Sequence, residues 1–417
     1  MNRWVRLSAA VVAMMMAGNS QYAWTLFRQP ISAATGWKLS EVQLGFTLFI
    51  ALGTWAMPLS GILIDRIGPR AFIMFSGVLC GVGWGWMGYS HTLPEFYLLY
   101  SIAGFGGAFV YCGAIAMALK WFPDKRGLAS GLAAAGYGSG ATFFNPLFAY
   151  LIHTVDFRIT LLYTGIAQGF VILIAGLLLQ NPPPGSVPAP VAAKPKVRRH
   201  NEEFKPGEML RTPQFYVLYA MMLMVGIGGL MATANLADVA RSFKVGAAAL
   251  TIALSLNPAA NGAGRVFWGW VSDHMGRERT MFVGFFLQAV FLTAVAALGR
   301  SGDVWFVLSM AFVYFTWGEL YVLFPAALTD MFGARNSATN YSILYSTKGL
   351  ASIPAAWLAA ELFEKTGSWN YAFYGSAVLA LCSALGAIGL RKMPLPKKHR
   401  PAEVAAPVAE VSPNAGD

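Results

Sequence analysis

Charged side chains are scarce in this 417-residue sequence, at 12% of the total. Soluble domains carry about 25%. With 56% hydrophobic residues and a mean hydropathy of +0.53, the chain holds more apolar sequence than a water-soluble core can bury. Cysteine is almost missing. Cys80, Cys112 and Cys382 each lie in an apolar run, which excludes a disulfide framework and reads as small packing residues. The five histidines (His91, His153, His200, His274 and His399) fall in loops or at the ends of apolar runs. No His or Cys pair has metal-ligand spacing, and no nucleophile stands beside a base within the apolar runs. We therefore expect no metal, no cofactor and no enzyme chemistry.

What the sequence does have is apolar runs long enough to cross a bilayer, where about 20 residues are needed. Twelve can be drawn, from about 5–27 to about 369–391. The first is too long for a signal peptide and keeps Asn19, Ser20, Gln21 and Tyr22, so it reads as a retained helix. Many runs contain glycine, which suits close helix packing in lipid. The expected fold is an all-α membrane protein with twelve transmembrane helices.

One pattern occurs twice. Gly61-Ile-Leu-Ile-Asp65-Arg66-Ile-Gly68-Pro-Arg70 recurs as Gly269-Trp-Val-Ser-Asp273-His-Met-Gly276-Arg277. Gly61 and Gly269, Asp65 and Asp273, and Gly68 and Gly276 are each 208 positions apart. A repeat at half the chain length predicts two pseudo-symmetric six-helix halves with a site between them. We assign residues 1–180 to the first half, 181–212 to a linker, 213–391 to the second half and 392–417 to a tail. The linker is Pro-rich and basic (Lys194, Lys196, Arg198, Arg199), and the tail opens with Lys397, Lys398 and Arg400. Both read as solvated segments, the tail as disordered and touching anionic lipid. Asp65, Arg66, Arg70, Asp273 and Arg277 in the two short loops are expected to form a latch between the halves.

The net charge of +11 has a telling distribution. If both termini lie on one side, the loops there hold 21 of the 30 lysines and arginines and the opposite loops hold 7. That bias predicts an inner (plasma) membrane protein with cytoplasmic termini, and it removes nucleic acid as a partner. Gly136-Tyr-Gly-Ser-Gly140 is no nucleotide loop, because it lies inside an apolar run and follows no strand. A monomer in lipid is the expected assembly.

Two cations remain inside the spans: Arg265 in the eighth and Lys348 in the eleventh. A charge at a helix centre costs roughly 2.5–3.5 kcal/mol on insertion scales. A small carboxylate could return that cost, meeting a guanidinium fork and an ammonium point charge. Snorkelling or a structural ion pair would be the duller explanation.

The doubled loop pattern resembles the major facilitator superfamily. Gln21-Tyr22-Ala-Trp24, Trp121-Phe-Pro-Asp124-Lys125-Arg126-Gly127, Gly207-Glu-Met-Leu-Arg-Thr-Pro-Gln-Phe215 and Phe315-Thr-Trp317-Gly narrow the resemblance to the oxalate:formate antiporter family. The resemblance implies that Arg265 and Lys348 are the cationic partners of a carboxylate. It further implies that Gln21, Tyr22, Gln43, Tyr111, Tyr137, Trp317 and Tyr321 wall the pocket. Glu319 departs from the family, whose oxalate exchanger has a small residue there. It could pair with Lys348 or Arg265, carry a proton, or serve structure alone. Standing two residues from both Trp317 and Tyr321, it is turned about 200° from them on a helix. The expected function is alternating-access carriage of small carboxylates, foremost oxalate:formate exchange. Proton-coupled uptake of a monocarboxylate such as lactate or pyruvate is the alternative.

Overall fold

The computed structural model describes residues 2–183 and 202–397, and every regular element among them is helical. The basic linker stretch, Lys398 and the tail beyond it lie outside the described residues. The helices are α1 (Arg3–Tyr22), α2 (Trp24–Thr35), α3 (Leu39–Ile67), α4 (Pro69–Trp86), α5 (Leu93–Trp121), α6 (Arg126–Thr154) and α7 (Phe157–Leu178) in the first half. After the short α8 (Pro206–Met209) of the linker, the second half contains α9 (Pro213–Ala234), α10 (Leu236–Ser242), α11 (Ala247–Met275), α12 (Arg277–Leu298), α13 (Asp303–Trp317) and α14 (Leu320–Phe332). It closes with α15 (Ser337–Tyr345), α16 (Thr347–Ile353), α17 (Ala359–Thr366) and α18 (Asn370–Lys392). Grouped end to end they make the twelve segments read from the sequence. Among the described residues, eight helices are long and apolar enough to cross a membrane by length and composition.

The helix ends follow local chemistry. Thr92 and Asp156 accept hydrogen bonds from the first-turn N–H groups of Glu95 and Arg158. Gly68 and Gly276 end α3 and α11 at φ of 85° and 95°, a conformation that excludes most side chains, so the repeated pattern makes the same turn twice. Large apolar side chains such as Phe143, Leu59 and Tyr163 remain exposed around the bundle, as a lipid-facing surface requires.

Several segments are broken where the sequence shows a continuous apolar run. The first breaks at Ala23, the seventh at Asn235, and the tenth at Gly318–Glu319. The eleventh breaks at Ser346 and again in a π-helical turn over Pro354–Leu358. Irregular backbone at membrane depth is tolerated only where protein or a cavity surrounds it. The breaks therefore mark where the interior departs from simple packing.

The halves meet along two seams, α6 against α11 and α3 against α15. Glycines let the backbones touch: a Cβ on Gly269 would overlap the Gly127 carbonyl, and one on Gly61 would run into Ser342 and Ala338. Residues expected to belong to the linker are also engaged. Phe204 is fully buried against Phe332, its N–H donates to the Phe332 carbonyl at 2.9 Å, and its carbonyl accepts from Asn336 and Asn340. The Glu203 carboxylate takes the N–H groups of Ala334 and Arg335 at 3.2 and 2.7 Å.

Filling the narrowest seam should be costly. Gly269→Val places a branched side chain against the Gly127 carbonyl and the Val322 methyl. We expect a loss of about 1–3 kcal/mol, read as a lower melting temperature of the purified protein in detergent.

Candidate functional site

Three of the helix breaks converge on one point. Gln21 and Tyr22 precede the Ala23 break, Trp317 and Tyr321 flank the Gly318–Glu319 break, and Tyr345 and Lys348 flank the Ser346 break. Lys348 is 8% exposed, and its Nζ donates to Gln21 Oε1 and to the Tyr345 hydroxyl, both at 3.4 Å. The Tyr137 hydroxyl from α6 donates to the same Gln21 oxygen at 3.1 Å. Gln21, Tyr111, Tyr137, Tyr345 and Lys348 line a small cavity together with Gly53 and Thr54 of α3.

Arg265 lies deeper and does not line this cavity. It is 1% exposed; its Nε donates to Asn261 Oδ1 at 3.1 Å and its Nη1 to the Ala134 carbonyl of the first half at 2.5 Å. With Tyr22 on a third, three of the five guanidinium donors are thus taken, leaving two, enough for one carboxylate. Both cations address one ring. Arg265 Cζ is 4.5 Å and Lys348 Nζ 5.7 Å from the centre of Tyr321. Tyr321 stands edge-on to Trp317 at 5.3 Å, and Tyr111 packs against Tyr137, Tyr345 and Tyr321 at 5.3, 5.1 and 6.4 Å. Tyr22 joins the cluster through Tyr137 at 6.1 Å and faces the Arg265 guanidinium. Cation–π contacts of this kind contribute about 0.5–2 kcal/mol each, the larger values where water is excluded. No acidic side chain pairs with either cation among the described residues.

The structure thus brings together Arg265, Lys348, Gln21, Tyr22, Tyr111, Tyr137, Trp317 and Tyr321. Gln43 lies on α3, but its side chain is outside the described residues. Glu319 does not join the cluster. It is fully buried, neither carboxylate oxygen has a hydrogen-bond partner, and it packs against the backbone of Gly284 on α12. Of the roles left open for it, pairing with Lys348 or Arg265 is absent among the described residues, as its position about 200° from Trp317 and Tyr321 on a helix leads one to expect. Sequence reasoning missed Asn261, which orients Arg265, and Tyr345. The signals were present: Asn261 sits four residues before Arg265, and Tyr341, Tyr345 and Lys348 recur at one-face helical spacing.

The doubled loops also join the halves. The Asp65 carboxylate accepts from the Thr339 N–H and hydroxyl, both at 2.9 Å, at the start of α15. Asp273 accepts from the N–H groups of Gly127 and Leu128, at 3.1 and 2.9 Å, at the start of α6. Each aspartate therefore caps a helix of the opposite half, where the helix dipole favours negative charge. Lys120 pairs with Asp65 at 3.0 Å, and Arg277 bridges Asp273 and Asp330 at 2.7 and 2.8 Å. Arg126 reaches across to Asp330 at 2.7 Å. Arg66 and Arg70 stand apart from this network, with exposed side chains and no ion pair among the described residues. Their place is taken by Lys120, whose position on α5 lets it reach Asp65 from above. Arg3 pairs with Asp124 at the same end of the bundle, and bonds between the halves also include Cys112 to the Ala338 carbonyl, Arg265 to the Ala134 carbonyl and Lys348 to Gln21.

A family model described as "Major Facilitator Superfamily" matches residues 9–237 and again 217–415. The chain belongs to this superfamily. Within it the oxalate:formate antiporter of Oxalobacter formigenes is 38% identical over 400 residues, covering 96% of this chain and 93% of that one. The human monocarboxylate transporter 11 is 24% identical, covering 82% and 73%. The apicoplast pyruvate carrier 1 of Toxoplasma gondii is 23% identical, covering 86% and 74%. Among solved structures, a proton:xylose symporter of the superfamily shares the fold at a TM-score of 0.71 and 12% identity, covering 92% of this chain and 94% of that one. The human organic anion transporter MFSD10 does so at 0.70 and 14%, covering 93% and 100%. This major facilitator chain is a multi-pass membrane transporter, not an enzyme.

The inter-half network yields an ordered set of substitutions. Asp330→Asn takes the acidic partner from Arg126 and leaves Arg277 with Asp273 alone, and should cost about 3–5 kcal/mol. Arg66→Gln and Arg70→Gln, at exposed positions, should leave the melting temperature unchanged. Thermal unfolding of the purified variants reads both.

Proposed function

We propose that the chain carries small carboxylates across an inner membrane by alternating access, with oxalate:formate-type exchange as its mode. The observation that carries this reading is the pair Arg265 and Lys348, buried on one tyrosine ring with no acidic partner. Two cations on one tyrosine ring, of which Lys348 lines the cavity, suit a dianion, or two monoanions in succession. One carboxylate takes the free donors of Arg265 and the other the Lys348 ammonium, while Gln21 and the tyrosine hydroxyls orient oxygen atoms. Tyr22, Tyr111, Tyr137, Trp317 and Tyr321 wall the site, with Gln43 assigned there by resemblance alone.

Charge explains the exchange mode. Reorienting an empty site would carry two uncompensated cations through the bilayer interior, at a cost of several kcal/mol. An anion removes that barrier, so the loaded carrier moves and the empty one waits. In the same reading Asp65, Asp273 and Arg277 latch the end that bears the termini. That end faces the cytoplasm, by the distribution of lysine and arginine.

The antiporter named above supports oxalate and formate as the substrates. The more distant monocarboxylate and pyruvate carriers support the wider class, with proton-coupled monocarboxylate uptake as the second reading. Labelled oxalate uptake into proteoliposomes loaded with oxalate or formate should far exceed uptake into empty vesicles. Arg265→Gln and Lys348→Gln should each abolish it while the protein stays folded by size-exclusion profile. Lactate or pyruvate entering empty vesicles on a proton gradient, with no oxalate flux, would overturn the exchange reading.

A further inference from the structure

The acid that the anion site does not use forms a site of its own. Glu319 is 0% exposed at the Gly318–Glu319 break, and both its oxygens lack a hydrogen-bond partner. A Cβ on Gly284 would overlap the carboxyl group, so this glycine leaves the space that the acid occupies. The surrounding elements also carry buried Glu278 at the start of α12 and Tyr314 on α13, and their cations are engaged elsewhere. Arg265 on α11 is held by Asn261 and Ala134, and Tyr111, Tyr137 and Tyr345 belong to the aromatic cluster. Arg126 and Arg277 are taken by Asp330, Lys120 by Asp65, and Tyr219 of α9 by Ser346. An ionised carboxylate in such a place would lose its hydration and gain nothing in return. A neutral acid packed against a glycine backbone carries no such penalty.

We propose that Glu319 and the Gly284 cleft form a proton-binding site, separate from the anion cavity, that controls the carrier's reorientation. The proton comes from water and returns to it, with no other group changed. Protonated Glu319 fits between α12 and the start of α14 in the arrangement seen here, with the halves joined at the end bearing the termini. Ionised Glu319 must leave the cleft, and the only route is movement of the α13–α14 break. That break holds Trp317 on one side and Tyr321 on the other, and Tyr321 is the ring under both cations. Proton release is thereby transmitted to the anion site through two residues of backbone. The transport consequence rests on the carrier reading given above, whereas the site itself does not.

Two measurements test it. Oxalate self-exchange in proteoliposomes, at equal pH on both membrane faces, should fall at least about threefold as pH is raised through the titration of the acid, since the neutral fraction of a carboxylic acid drops up to about tenfold per unit above its pKa. Glu319→Gln should exchange at the acid-side rate at every pH, and Glu319→Asp should keep a pH dependence. The infrared spectrum of the purified protein should show the carbonyl stretch of a protonated carboxylic acid, bleaching as pH rises and missing in Glu319→Gln. A Glu319→Gln profile that still follows the wild type, or a wild-type spectrum without that band at low pH, overturns the proposal. If oxalate is not exchanged at all while the band is present and lost in Glu319→Gln, the carboxylate assignment fails and the proton site stands.

Discussion

A bilayer interior gives a buried charge no water to fall back on, and this constraint orders the rest of the structure. Arg265 and Lys348 are tolerated because every nearby group is shaped to hold a cation without neutralising it: backbone and amide oxygens, phenol rings and hydroxyls. The helix breaks, the tyrosine cluster and the small cavity lie around that pair. Charge that is fully neutralised is placed elsewhere, at the end of the bundle where Asp65, Asp273 and Asp330 meet lysine, arginine and helix N-termini. The separation has a physical basis. A site that must accept and release an anion cannot carry its own permanent counter-ion, whereas a closure that must hold between turnovers benefits from one.

Much of this was legible in the sequence because hydropathy is a collective property. A run of some 25 apolar residues bounded by glycine, proline or charge fixes a span whatever packs beside it, and most segments begin and end near expectation, although helix continues past the expected ends of the first, seventh and tenth to Thr35, Ser242 and Phe332. The repeat made the two-half arrangement legible for the same reason. The breaks at Ala23, Gly318 and Ser346 were not legible, since each follows from what neighbouring helices and the cavity demand rather than from a local breaker.

Side-chain partners show the same division. The resemblance named Gln21, Tyr137, Tyr321 and Lys348, and these do come together. Arg66 and Arg70 were assigned to the network because they are Asp65's neighbours in sequence. Adjacent helical residues point in different directions, however, and Lys120, 55 positions away, reaches the carboxylate instead. Asp330 was hidden because the tenth apolar run, read from the sequence as about 303–326, ends before it. In the structure α14 continues to Phe332 and buries Asp330 between two arginines. Glu319 was the opposite case, since helical geometry alone turned it away from the aromatic face.

The two seams are unequal in a way the repeat does not suggest. Where α3 meets α15, the bonds across are those of one aspartate to Thr339, and Lys120 comes from the same half as Asp65. Where α6 meets α11, a second aspartate caps a helix and an arginine also crosses to Asp330. The difference lies in Arg126, which crosses to the opposite half, whereas Lys120 at the first seam stays within its own. A molecule fastened more firmly along one edge than the other does not part evenly. The α3–α15 edge is the weaker of its two fastenings, and closure at this end leans on the α6–α11 edge.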